Sequence, residues 1–194
     1  MKKKVFDIHF VYGSLAAKKF ILPISNQSKN NTKIFFQPIN DKDIFDSPNV
    51  VRLPKWFNVK ILLNKRLLLL LPSFIYLFIL LFRYREDRII THMTTYSFLP
   101  LLVAYILRMN NRIYFNHGFA NIGSKGVVKY ILFWLEVVNS FLATKVITVS
   151  PSHLKKVENT LISKFTPILS TLPGSCCGIL KSKIITEENL EKKI

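Results

Sequence analysis

The stretch "RIYFNHGFANIGSKG", residues 112–126, decides how the chain reads. Ile113-Tyr114-Phe115 is a short β-branched and aromatic run, the composition of a buried strand. It stops at Asn116-His117-Gly118, and small polar residues follow. Residues 125–143 then carry apolar side chains at 127, 128, 131, 134, 135, 138, 141 and 142, a period near 3.6 that predicts an amphipathic helix. His117 and Gly118 therefore fall in the loop between the carboxyl end of a strand and the start of a helix. A glycine there lets backbone come close to a ligand.

The same alternation runs outward in both directions. Strands are predicted at 5–12, 33–37, 49–53, 88–91, 112–115, 145–149 and 166–171. Helices are predicted at 15–28, with Pro23 as a kink, and at 59–84, 96–108, 125–143 and 185–193. Ser150-Pro151 supplies a capping serine followed by proline at the first helical position. The strands lack polar alternation, as expected when helices cover both faces of a sheet. The pattern predicts an α/β fold, a doubly wound parallel sheet in a single Rossmann-like domain.

In such sheets ligands bind beyond the carboxyl ends of the strands. The residues there are Gly13-Ser14, then Thr91-His92 with Thr94 and Thr95, then His117-Gly118, then Ser150, and finally Gly174-Ser175 and Gly178. His9 should alternate into the sheet interior, and His153 should lie exposed on a helix. No G-x-G-x-x-G fingerprint, phosphate loop or G-x-S-x-G elbow is present. Histidines and carboxylates do not fall at metal-ligand spacing, so no metal is expected.

Composition narrows the partners. The 194 residues hold 28 Lys and Arg against 11 Asp and Glu, a net charge of +17, and 49% are hydrophobic. That charge calls for an anionic partner. From Ser47 to Arg85 there are seven basic residues and no acidic one, around the most apolar run of the chain. Basic residues beside a Leu- and Phe-rich helix fit an anionic membrane surface better than nucleic acid, with Lys60, Lys65 and Arg66 facing the lipid. The uncharged run 67–82 has 16 residues, shorter than the about 20 a spanning helix needs, and contains Pro72. The expected placement is cytoplasmic, peripheral at the inner face of the cell membrane. Cys176 and Cys177 are adjacent and could bridge only through a strained ring, so no structural disulfide is expected.

Four stretches together resemble the N-terminal domain of bacterial family 4 glycosyltransferases. "REDRIITHMTTYSFLPLLVAYILRMNNRIYFNHGF" is similar to that family's strand, Thr-His turn, helix, strand and His-Gly loop. "ILFWLEVVNSFLATKVITVSPSHLKK" is similar to the helix that follows and the strand ending in Val-Ser. "LPGSCCGI" is similar to the Gly-Ser-x-x-Gly turn leading out of the domain, and "VYGSLAAKKFILPISNQSK" to the first strand, loop and helix. Glu86 stands where the family has proline.

The resemblance covers residues 4–190 and implies one half of a two-domain GT-B enzyme. Residues 1–180 would form the acceptor-side domain and 181–194 the start of the interdomain linker. The nucleotide-sugar domain would lie outside the chain, which would be a truncated product or half of a split enzyme. The implied activity is retaining, metal-independent sugar transfer from a nucleotide-sugar donor, with no cofactor. The implied acceptor is a lipid-linked saccharide of capsule, O-antigen or exopolysaccharide assembly. His117 would face the donor sugar as catalytic residue, Gly13, Ser14 and Gly118 would border the donor, and His92 and Thr94 the acceptor. Two rival expectations stand beside it: a non-catalytic membrane-associated binding subunit, and a small integral membrane protein spanning at 67–82.

Overall fold

The computed structural model describes residues 6–13, 21, 31–38, 49–54, 56–57, 67–165 and 169–171. Among them seven strands form one sheet: β1 (Phe6–Tyr12), β2 (Asn31–Gln37), β3 (Val50–Arg52), β4 (Arg88–His92), β5 (Asn111–Asn116), β6 (Lys145–Thr148) and β7 (Leu169–Thr171). Their order is β3-β2-β1-β4-β5-β6-β7, and every neighbouring pair is parallel. The order reverses between β1 and β4, which makes their carboxyl ends the switch point of a doubly wound fold.

The helices are α1 (Leu70–Phe82), entered through a 3-10 turn at Leu67–Leu69, α2 (Thr94–Ile106), α3 (Gly126–Leu142), α4 (Pro151–Glu158) and α5 (Leu161–Phe165). Pro72 sits in the first turn of α1, where backbone N–H groups have no intrahelical acceptor, so it opens the helix rather than breaking it. The expected helix 59–84 is thus described only from residue 67 onward. The helices expected at 15–28 and 185–193, the cysteine pair and the turn at Gly174 lie outside the described residues.

Alternation along β1 divides the core. Ile8 and Phe10 pack with Leu77 and Leu81 of α1 and with Leu99 and Val103 of α2. Val11 points the other way and packs with Ile21, Ile34 and Phe36. Each fully buried leucine such as Leu77 contributes roughly 1.5–3 kcal/mol by leaving water. Further along the sheet, Tyr114 and Val146 pack with Leu101 of α2 and Leu142 of α3.

Two helices bear on the expectations from sequence, α1 by its length and α3 by the face it buries. At about 1.5 Å per residue the 13 residues of α1 reach roughly 20 Å, short of a hydrocarbon core of about 30 Å. Among the described residues no helix is long and apolar enough to cross a membrane. Helix α3 is rotated from its predicted stripe. Val127, Trp134 and Phe141 are exposed, while Glu136, Asn139 and Ser140 are fully buried.

Candidate functional site

At the switch point three strand ends lie side by side. β1 ends at Tyr12-Gly13, β4 at His92-Met93 and β5 at Asn116-His117-Gly118. Gly13 has φ 80 and donates its backbone N–H to the Gln37 carbonyl at 3.0 Å. Its conformation is one that only glycine adopts freely. Ser14 lies outside the described residues, as do Lys60, Lys65 and Arg66. A cavity of about 280 Å³ opens between residues 93–95 and 117–120, with His117, Gly118 and Thr94 in its wall.

The strand-to-helix corner before this cavity is tight. Met93 has φ 71, in the left-handed region, and a side chain exposed to solvent. Its carbonyl accepts from Ser97 N at 3.0 Å and from Ser97 Oγ at 2.8 Å, which holds the corner in place. A non-glycine residue there costs on the order of 1–3 kcal/mol, and such residues cluster where a site requires them.

The loop carrying His117 is anchored from beneath by Glu136. This carboxylate, fully buried on α3, accepts from Tyr114 Oη at 2.7 Å, from Asn116 Nδ2 at 2.9 Å and from Thr94 Oγ1 in a short contact. The Ala120 backbone bonds it as well. Asn116 Oδ1 in turn accepts from Gly118 N at 2.9 Å, and Asn139 Nδ2 donates to the Thr94 carbonyl at 2.8 Å. Burial pushes the Glu136 carboxyl up from its ordinary range, and these hydrogen bonds pull it back. One acid thereby ties α3 to β5, to the first residue of α2 and to both sides of the His117-Gly118 turn.

The histidines meet on the other side of the sheet. His9 Nδ1 lies 3.1 Å from His92 Nε2, and His92 Nδ1 lies 3.1 Å from His117 Nε2. Phe115 packs against both His92 and His117, with ring centroids 5.4 and 4.9 Å away. His9 and His92 are buried, as expected for His9. Burial lowers His9 to about 4, the Arg88 charge adding to it and Asp7 opposing it. Burial, then the neighbouring rings, lowers His92 well below its ordinary value. Burial, then His153, lowers His117 to about 4. All three are neutral near pH 7. His153, expected in solvent, is buried with its ring against Phe119, and neither of its ring nitrogens has a hydrogen-bond partner. Its backbone N–H takes the Ser150 cap at 3.2 Å, the start of α4 that Ser150-Pro151 predicts.

The structure therefore brings His92, Thr94, His117 and Gly118 together. Of these, His117, Gly118 and Thr94 border the cavity, while the Thr94 hydroxyl turns to Glu136 and the His92 ring contacts other rings. Among the described residues no group of histidines, cysteines or carboxylates is arranged to hold a metal ion. Glu136 is the residue that sequence reasoning missed. The pattern Glu136, Asn139, Ser140, three polar residues at i, i+3 and i+4 inside an apolar helix, is the trace it leaves.

Known structures share this architecture. The chain is similar to sucrose-phosphate synthase from Thermosynechococcus elongatus, with 15% identity over 97% of this chain and 98% of that one, at a TM-score of 0.54. It is also similar to a UDP-N-acetylglucosamine 2-epimerase, with 11% identity over 81% of this chain and 46% of that one, at a TM-score of 0.57. No family profile and no curated protein matches the sequence. Both structural neighbours have folds of the GT-B glycosyltransferase type. The fold here is the same Rossmann-like α/β fold.

Proposed function

We propose that the chain acts as the acceptor-side domain of a retaining family 4 glycosyltransferase that adds sugar to a lipid-linked glycan in capsule, O-antigen or exopolysaccharide assembly. The observation that carries this reading is the position of His117-Gly118: on the cavity wall at the switch point, on a turn that a buried acid holds in place. With Nε2 against His92, the neutral imidazole meets a sugar hydroxyl or a departing phosphate through Nδ1, as either donor or acceptor. Gly118, at φ 150, leaves its Cβ space open for a ligand. In this reading His117 touches the reacting sugar, Gly13, Ser14 and Gly118 border the donor, and Thr94 lines the acceptor side. His92 acts through His117.

The donor is a nucleotide sugar held by a second domain, and the transfer uses neither metal nor cofactor. Positioning two reactants supplies roughly 7–11 kcal/mol of barrier reduction, which half a cleft largely forfeits. Helix α1 provides the membrane contact. Leu71, Ile75, Ile79 and Phe82 form one exposed apolar face, and Arg85 sits 5.6 Å from the Phe82 ring. Lys60, Lys65 and Arg66 precede that uncharged helix in sequence and supply positive charge, as Arg83 and Arg85 do after it. The enzyme works at the cytoplasmic surface of the cell membrane.

The test is transfer of labelled sugar from a panel of UDP- and GDP-sugars to lipid-linked acceptors. The panel is run with residues 1–194 alone and with the nucleotide-sugar domain encoded in the same or the adjacent reading frame. Transfer only by the pair is the expected result. Turnover by residues 1–194 alone, or none by any pairing, overturns the reading. Retained membrane binding without transfer would favour the binding-subunit alternative, which the apolar face of α1 also suits.

A further inference from the structure

The sequence contains four histidines, and the fold gathers all of them at one place. Strand register explains how. His9 pairs with Ile90 across β1 and β4, so His92 stands one pleat further toward the carboxyl end on the same face. His92 pairs with Phe115 across β4 and β5, so His117 stands one pleat further again. The three rings form a diagonal that climbs from the sheet interior to the cavity rim, and His153 lies beyond its upper end.

Each nitrogen pair in this diagonal shares one proton. Two bare lone pairs or two N–H groups facing at 3.1 Å would repel. With three neutral rings only two arrangements satisfy both contacts. If His9 donates from Nδ1, His92 accepts on Nε2 and must donate from Nδ1, and His117 accepts on Nε2 and carries its proton on Nδ1. If His117 donates from Nε2, every step runs the other way and all three rings are protonated on Nε2. Both arrangements give the three rings a common tautomer.

We propose that His9, His92 and His117 change tautomer as one unit, so that His9 and His92 act as positioning residues that set which hydrogen-bonding group His117 presents at the rim. Charges at the two ends bias the choice. Asp7 and Arg88 flank His9, joined to each other at 2.7 Å, while His153 and, beyond it, Lys156 lie at the other end. Burial keeps the rings neutral, which the coupling needs. The inference holds whichever ligand fills the cavity and does not rest on sugar transfer.

The experiment is a long-range proton–nitrogen correlation spectrum of the full chain, labelled with 15N-histidine, at neutral pH. Protonated and bare imidazole nitrogens resonate far apart, so each ring's tautomer is read directly. The expected spectrum gives His9, His92 and His117 the same tautomer, or one shared ratio of the two. Different tautomers on adjacent rings, or a cationic ring among the three, overturn the proposal. A second arm replaces His9 by phenylalanine. In the folded His9→Phe chain the tautomer ratio of His117 should shift, although no contact of His117 has been removed. An unchanged ratio in that folded variant also overturns it. If the variant does not fold, the wild-type spectrum still decides.

Discussion

Glu136 and Gly118 are joined through a single side chain. The Asn116 amide nitrogen donates to the Glu136 carboxylate and its oxygen accepts from the Gly118 backbone, each at 2.9 Å. A buried acid on α3 thus sets the conformation of a rim loop that it does not itself line.

Removing that acid should be costly. In Glu136→Ala the donors of Thr94, Tyr114 and Asn116 stay buried and lose their acceptor. Each such orphan costs about 1–3 kcal/mol, so a loss of at least roughly 3 kcal/mol is expected in urea unfolding. Glu136→Gln keeps an acceptor oxygen and should lose less than half as much. Equal stability of Glu136→Ala and wild type would show that the network does not hold the loop.

Acid should weaken the fold before it protonates most carboxylates. His9 and His117 are lowered from 6.5 to about 4. The unfolded chain therefore binds more protons than the folded one between those values. Stability is full above about pH 6.5 and falls as pH drops toward 4. One unit of depression is worth about 1.4 kcal/mol, so His9 alone withdraws about 3 kcal/mol across the window. Glu136 works in the opposite sense, because its raised value favours the folded state at low pH and disfavours it as pH rises. Unfolding midpoints at pH 7 and pH 4.5 check the sign, and a chain no less stable at pH 4.5 would contradict it.

Two glycines offer a matched pair. A Cβ at either Gly118 or Gly123 meets nothing within 4 Å, but only Gly118 has a backbone, at φ 150, that side chains rarely adopt. Gly118→Ala should cost about 1 kcal/mol or more, and lower the melting temperature by roughly 2–4 °C in a chain of this size. Gly123→Ala should leave melting unchanged. Similar shifts in both would mean that the backbone conformation at residue 118 does not set the cost.

Charge and apolar area should contribute separately to membrane binding. Exposed charges are screened over roughly 8–10 Å near physiological salt, so attachment to anionic vesicles should weaken as salt rises. Reversing Lys60, Lys65 and Arg66 to Glu should release the protein at moderate salt. Ile75→Glu with Ile79→Glu should release it even at low salt, and leave melting nearly unchanged because both side chains are exposed. Vesicle sedimentation that neither change diminishes would rule out α1 as the contact.

The fold was legible in the sequence because strands such as 112–115 are short apolar runs bounded by turn residues. The rim position of His117-Gly118 follows from that alternation alone. Helix α3 misled for a physical reason. Its stripe predicts Trp134 and Phe141 in the core, but the helix turns to bury Glu136 against Tyr114 and Asn116, and tertiary hydrogen bonding outweighs periodicity there. The histidine diagonal was not legible, because it depends on strand order and register. His9 and His92 are separated by 83 positions in sequence. The local pattern around His153 points to solvent, because nothing in it shows that Phe119, from a distant loop, covers the ring.

That diagonal also makes the protein its own gauge of completed folding. A one-residue slip between β1 and β4 would put His92 and His9 on opposite faces of the sheet and break the lower link of the diagonal. Pairings that span long stretches of chain form late, because closing the intervening loop must come first. The rim histidine of a half-assembled chain therefore differs chemically from that of the native one. Its native ring resonances will appear only when β1, β4 and β5 have locked in register.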